Sequence, residues 1–499
     1  MTTTKISKVL RTIGQALTAL GIVISVTPAN AATINVNATC SLQDAIRAAN
    51  ADVVSGGCSA GSGADTIVLK PSSTIVLTAP DSEGNGLPVI TSEITIEGNG
   101  STVTRDPAAP DFRIFSVEWS DLTLNETTVS GGSATGEYVS LGGGIRAYYG
   151  SLELNDCVIT GNTGTEVAFG AGVAVHGTYT TINRTTIAGN VGEDALLNVF
   201  GFVELNQSAV VLNDADGVDN IAGFTVLNDC TVSSNDGDGL TGYWFEANRS
   251  TITGNTGAGA NIYYAPSAFN ESIISGNNGP VGREIFWGSS YGVPTTDSNV
   301  IGFAGDAGIA GFSLSPTDIV PGVGLGSILD PALTANGGPT LTHLIRSNSP
   351  ARDALGVCTG VDQRGVSRPQ GESCDIGAVE LVADPCATAT ASLGCMVNGV
   401  ANQPCVGGNG SDVIVGTSGN DVILARAGND TVWAAAGNDI VCGGEGNDAL
   451  HGGSGDDVMV GGNGDDSISG DYGLDSLNGG TGIDACMTDA ADVSIVTCN

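Results

Sequence analysis

The sequence predicts an all-β chain made of two solenoids in succession, and three observations carry that prediction. One short phrase built around asparagine recurs seven times between residues 122 and 277. A second pattern, with a strict period of nine residues, fills 407–487. Glycine supplies 75 of 499 residues and aromatics only 5%, while 41% of the chain is hydrophobic. That glycine load argues against a helical bundle, and that apolar fraction argues against a disordered polyanion. The formal charge of −37 at pH 7, from 53 acids against 16 bases, excludes nucleic-acid phosphates and anionic leaflets as partners.

The elements follow in order. Lys5, Lys8 and Arg11 precede an apolar run from Ala16 to Val26 and then Ala29-Asn30-Ala31. This reads as a secretory signal peptide over 1–31, because the apolar run is too short to span a bilayer. No later stretch reaches 18 apolar residues, so no transmembrane segment is expected, and the protein is expected to be secreted or held at the cell surface. Export permits disulfides. The twelve cysteines contain three sequence-near pairs: Cys40 with Cys58, Cys358 with Cys374, and Cys486 with Cys498. Cys386, Cys395, Cys405 and Cys442 leave three connectivities open.

The segment from Cys40 to Asn50 combines a capping pattern, Ser41 with Asp44, and an apolar stripe of Leu42, Ala45, Ile46 and Ala49. A short helix covering the first open coil is expected there. Next come the seven phrases, with first asparagines at 125, 155, 183, 206, 228, 248 and 270, spaced 30, 28, 23, 22, 20 and 22 residues apart. Two positions after each asparagine stands a small residue: Thr127, Cys157, Thr185, Ser208, Cys230, Ser250 or Ser272. Four positions after stands Val129, Ile159, Ile187, Val210, Val232, Ile252 or Ile274, all β-branched. The position between is always polar. Alternation of this kind gives one buried and one wet face, and stacking such coils in register gives a parallel β-helix. The first asparagines are expected to form an inward ladder, with a second ladder at 162, 190, 213, 235, 255 and 277. Cys157 and Cys230 lie three coils apart, about 14 Å, beyond the roughly 7 Å a disulfide allows. Two buried thiols are expected.

Cys40–Asn50, reading CSLQDAIRAAN, resembles the N-terminal element of CSLREAI-type secreted bacterial right-handed β-helix proteins. The later DQRGVSRPQGESCDIGAVE (362–380) is similar to the closing segment of the same choice-of-anchor group, and GGGI (142–145) with the asparagine phrases is similar to chlamydial polymorphic outer-membrane proteins. The resemblance implies a right-handed parallel β-helix over 32–380.

A cysteine-containing connector (381–406) leads to nine ungapped nonapeptides from Gly407 to Met487. Position six is always aspartate: Asp412, Asp421, Asp430, Asp439, Asp448, Asp457, Asp466, Asp475 and Asp484. Position four is always glycine. The pattern resembles the G-G-x-G-x-D-x-U-x repeat of RTX, hemolysin-type proteins. It implies a calcium-binding parallel β-roll with two nonapeptides per coil. Calcium wants six to eight oxygens from carboxylates and carbonyls, and glycines let turns aim carbonyls at it. Units three and four begin Ala425-Arg426-Ala427 and Ala434-Ala435-Ala436; the missing glycines and the arginine disfavour ions there. The pairings of Asp448 with Asp466 and Asp457 with Asp475 are the best-formed expectations. Residues 488–499 read as a cap closed by Cys486 and Cys498.

Two functions compete. The first is a calcium-dependent surface or matrix adhesion protein, with extracellular carbohydrate or a cell-surface protein as partner and the exposed aromatics Tyr148, Tyr149, Tyr243, Trp244, Tyr263 and Tyr264 as anchors. The second is an extracellular polysaccharide-degrading enzyme, a lyase or glycoside hydrolase. Its catalytic carboxylates would be Asp214, Asp216, Asp219, Asp236 and Asp238, which fall on loops of successive coils. Read as polar solenoid turns, those acids need no chemistry at all. His176 is the only histidine inside the coils and Lys70 the only lysine beyond the signal segment.

Overall fold

The computed structural model describes residues 31–82, 84–134, 142–164, 170–263, 267–279, 283–288, 292–356, 358–371, 373–381, 386, 390–473, 475–487 and 494–496. The expected signal peptide therefore lies almost wholly outside the described residues, as do Tyr264 and Cys498. The regular secondary structure of the described residues is nearly all strand, with parallel pairing along both solenoids.

The first solenoid links 25 strands between Thr33 and Ala310 through parallel pairings, making a parallel β-helix. Its register is residue upon equivalent residue. Asn125 pairs with Asn155, Asn155 with Asn183, Asn183 with Asn206, and the column continues through Asn228 and Asn248 to Asn270. The residue after each of these asparagines turns the corner in the left-handed region, from φ 44° at Arg184 to 53° at Asp156 and Glu271. That turn throws its side chain outward and explains why it is always polar. The β-branched and small columns are buried without exception, and they form one continuous core with the aromatic plugs Phe112, Phe115, Phe245 and Phe269.

The two asparagine columns differ. Asn162, Asn190, Asn213, Asn235, Asn255 and Asn277 are fully buried. Each side-chain amide donates to the next carbonyl oxygen at 2.8–3.0 Å, and the column ends on the Glu284 carboxylate at 2.8 Å. The first column, expected to point inward, is only half-buried. Its amides still run unbroken from Asn270 to Asn125, but at the solvent edge, because the corner residue that follows turns the chain before the side chain can enter the core.

The helix Leu42–Ala51 begins at Ser41, whose hydroxyl accepts the Asp44 N–H at 3.1 Å, and it buries Leu42, Ala45, Ile46, Ala48 and Ala49. A disulfide joins Cys40 to Cys58 beside it. Farther along, residues 328–380 do not add coils. They lie along the flank of the β-helix, held by the Cys358–Cys374 disulfide. Ile328, Leu329, Ile345, Leu355 and Ile376 pack with Ile273 and Val300 into a second small core. Gln363 receives a hydrogen bond from Thr231 at 2.6 Å and donates to the Ser208 carbonyl. Buried Arg368 reaches Glu380 at 3.0 Å and Asp229 at 3.4 Å. Under this cover the short strands Ala209–Val211, Thr231–Ser233 and Thr251–Thr253 are buried on both faces, whereas Val158–Thr160 keeps one wet face.

The second solenoid is a roll of two parallel sheets in which each strand pairs with the strand 18 residues on, such as Thr431 with Ala449 and Ile440 with Val458. Two nonapeptides thus make one coil. Ile414, Ile423, Val432, Val441, Leu450, Met459, Ile468 and Leu477, the eighth position of the first eight units, form its core, with Cys486 of the ninth packed against it. Within the expected connector, Leu393–Val397 and Val400–Pro404 form an antiparallel hairpin that extends the first sheet and holds the Cys395–Cys405 disulfide. Cys386 bonds Cys442. Cys486 is disulfide-bonded. Among the described residues no helix is long and apolar enough to cross a membrane.

Candidate functional site

In the roll, every sixth-position aspartate is buried. Seven of the nine accept, on Oδ1, the backbone N–H of the aspartate 18 residues earlier: Asp430 from Asp412 and Asp439 from Asp421 at 2.7 Å, and so on to Asp484 from Asp466 at 2.9 Å. That bond locks each carboxylate against the coil below and points its other oxygen along the turn. Oδ2 of Asp430, Asp439, Asp448, Asp457, Asp466 and Asp484 has no hydrogen-bond partner among the described residues. A buried charged oxygen left in this way is costly. Burial, and then the charges of the aspartates stacked beside them, push the carboxyls of Asp448 and Asp466 up to about 6 and of Asp457 up to about 7.

The glycines leave the space that such an oxygen needs. A Cβ at Gly443, Gly452 or Gly461 would sit 2.3–2.4 Å from Oδ2 of Asp448, Asp457 or Asp466, and within 2.7 Å of the carbonyl one coil on. Carboxylate oxygens and backbone carbonyls therefore crowd one place in each turn, the donor set a hard cation takes. Position four bends through φ 117–131° at Gly446, Gly455 and Gly464. Arg426, Ala435 and Asp471 adopt φ 82°, 89° and 69° where units five, six, seven and nine have glycine, so units three, four and eight hold the same turn under strain. The first two aspartates stand apart. Asp412 accepts from Asn398 and Gly408, and Asp421 accepts the Thr417 N–H and hydroxyl at 2.6 and 2.9 Å. Both oxygens of Asp412 and Oδ2 of Asp421 are thus already satisfied by protein groups.

The β-helix carries a cleft of about 440 Å³ lined by Glu193, Asp194, Asp214, Asp216, Asp219, Asp236, Thr241 and Tyr263. Register brings the acids together: Asp194 pairs with Asp216 on the next coil, and Asp219 with Thr241. Asp216 accepts the Asp238 N–H at 2.7 Å, and Gly237 leaves room for that carboxylate. Asp238 spends both oxygens, on the Ala258 N–H at 2.6 Å and the Asn261 amide at 2.7 Å. Asp236 accepts the Thr256 hydroxyl at 2.8 Å, and Asp214 is exposed at the rim. Burial, then neighbouring acids, push Asp219 up to about 7; burial, with Asp238 and Glu193 adding to it, pushes Asp216 up to about 6. Glu193 and Asp194 were not among the sequence candidates, because they sit inside a strand, Val191–Val199, that lacks the asparagine phrase at its start.

An aromatic strip runs along the same solenoid. Trp119 stacks on Tyr149 at 4.3 Å, Tyr148 stacks on His176 at 4.9 Å, and Phe200 closes edge-on at 5.8 Å. Trp119 and Phe200 are 71% and 65% exposed. Tyr179, Phe202 and Phe224 form a second stack. Of the aromatics singled out from sequence, Tyr148 and Tyr149 join the first strip, Tyr263 lines the acidic cleft, and Trp244 is exposed beyond Phe224. Cys157 and Cys230 are free and buried, and burial pushes both thiols up to about 12.

Comparison with known proteins adds two findings. A family model described as the RTX calcium-binding nonapeptide repeat (4 copies) matches residues 406–441, 415–450 and 451–485, so the C-terminal region carries RTX calcium-binding repeats. The solved structure titled "Crystal structure of pectate lyase Pel9A" is similar at a TM-score of 0.43 and 18% identity, over 68% of this chain and 90% of that one. No curated protein matches the chain.

Proposed function

We propose that this chain is an exported bacterial protein of the cell surface or extracellular matrix, of the CSLREAI and choice-of-anchor kind, whose roll folds on calcium and whose β-helix is a rigid binding shaft. The observation that carries the reading is the column of buried aspartate oxygens in the roll that lack a protein donor, those of Asp448, Asp457, Asp466 and Asp484 each facing a glycine-made space. Asp430 through Asp484 would hold the ions, with Asp448, Asp457, Asp466 and Asp475 as the best sites and Asp412 and Asp421 contributing least. Bound calcium would neutralise carboxylates that otherwise repel, and the binding free energy becomes folding free energy. The exposed strip of Trp119, Tyr149 and Phe200 supports carbohydrate or protein contact, since aromatics anchor interfaces.

Limited proteolysis with and without chelator tests this. The expected result is loss of roughly the last hundred residues in chelator while the β-helix persists. Equal resistance of both halves in either condition would count against the reading.

A second reading, a polysaccharide-degrading enzyme, is favoured by the acidic cleft alone. Among its carboxylates Asp238 has both oxygens engaged, whereas Asp216 keeps one beyond its bond to the Asp238 N–H, and Asp219 stands beside it in the cleft. Polysaccharide cleavage lost on Asp216→Asn or Asp219→Asn would support it.

A further inference from the structure

Asp65 begins the strand Asp65–Val68, beside the capping helix, and is 1% exposed. Its Oδ1 accepts two backbone N–H groups, from Ser62 at 2.7 Å and from Ala32 at 3.2 Å. Its Oδ2 has no hydrogen-bond partner, and no lysine or arginine pairs with it among the described residues. The surroundings add negative potential. A Cβ at Gly61 would lie 2.3 Å from Asp65 Oδ2 and 2.8 Å from the Ala48 carbonyl oxygen, and the last turn of that helix carries no basic residue. A buried carboxylate without a cation, near the negative end of a helix, is costly.

The missing cation is one cleavage away. Ala29-Asn30-Ala31 is the small-residue pattern after which a signal peptide is cut. Hydrolysis of the Ala31–Ala32 bond by a peptidase consumes one water, leaves a carboxylate on Ala31 and frees the Ala32 amine. An α-amine has an ordinary pKa of about 7.7–8.0, so it is an ammonium at neutral pH. Ala32 is already held in place: its carbonyl accepts the Thr66 N–H at 2.9 Å while its nitrogen faces Asp65. We infer that processing completes this site, with the new α-ammonium of Ala32 docking on the buried Asp65 carboxylate and locking the strand Thr33–Asn35 onto the first coil. The inference rests on the exported reading above. In the precursor the same nitrogen is a neutral amide with one N–H; the ammonium has three, and its bond to the carboxylate is charge-assisted on both sides.

Three otherwise full-length chains test the docking whether or not export occurs: one starting at Ala32, the same chain N-acetylated, and one starting at Ala29. Hydrogen exchange over Thr33–Asn35 at pH 6.5 should be about tenfold slower in the first than in the other two. The Ala32 amine should also react about tenfold more slowly with an acylating reagent than it does in Asp65→Asn. Equal exchange in all three chains, or an amine as reactive as that of Asp65→Asn, would overturn the docking. N-terminal sequencing of the chain exported by a bacterial host tests the processing separately. A start at Ala32 is expected; a different start, or retention of residues 1–31, would overturn the processing step and count against the exported reading.

Discussion

Asn213 and Asn235 illustrate how single residues hold this molecule together. Asn235 accepts from the Asn213 backbone and side chain at 3.2 and 2.8 Å, and donates to Val210 and Asn255. Asn235→Ala would strand donors and acceptors on both neighbouring coils with no water to replace the amide. A loss on the order of 3 kcal/mol is expected, read from denaturant unfolding. Asn228→Ala removes an equally continuous but half-exposed rung, and water can substitute; its cost should stay under about 1 kcal/mol. Equal costs would contradict the distinction between the columns. Glu284 ends the inner column by accepting from Gly276 and from the Asn277 backbone and amide. Burial pushes its carboxyl up to about 7 from 4.5. The folded state then holds a proton that the unfolded state releases between those values. Its contribution is fully present below about pH 4.5 and is lost as pH rises through about 7, worth about 3 kcal/mol. In chelator the β-helix should be more stable at pH 5 than at pH 8, and Glu284→Gln should flatten that slope by one proton. An unchanged slope would contradict it.

At the scale of elements, the coils were legible because their signals are local and periodic. An asparagine, a small residue and a β-branched residue at fixed offsets declare which way each side chain faces, and stacking adds no new information. The roll was legible for the same reason. Three features were not. The corner residues at φ near 50° carry no glycine to announce them, so the half-exposed position of the first asparagine column could not be read. The flank segment 328–380 has no period, and its burial of Ala209, Val211 and Ile273 depends on contacts more than a hundred residues apart. Only the apolar character of those nominally outward positions hinted at a cover. The third is Asp194, which reaches the cleft through register with Asp216 rather than through a motif. Within the roll, the glycine rule predicts a clear contrast. Gly461→Ala would set a Cβ 2.3 Å from Asp466 Oδ2 and 2.5 Å from the Gly479 carbonyl. The calcium needed for half-folding should rise about tenfold, roughly 1.4 kcal/mol. Gly410→Ala, with nothing within 4 Å of the new Cβ, should leave that midpoint unchanged.

Across the whole molecule, the two solenoids solve the same stacking problem with opposite chemistry. The β-helix fills its interior with apolar and amide columns that satisfy themselves, apart from the acidic cleft. The roll carries thirteen acids against Arg426 between Gly407 and Asp484, and its buried columns are carboxylates. Self-repulsion of that density opposes compaction, and bound cations would relieve it. Stability should therefore divide at the connector, with the roll's share set by free calcium and the β-helix's share set largely by its own packing. The most direct measurement is a calcium titration of the chelated mature chain, following far-UV circular dichroism and bound metal together. A cooperative gain of β-structure accompanied by several bound ions is predicted. Full β-structure in chelator, or no ions bound on titration, would contradict calcium as the agent that folds the roll.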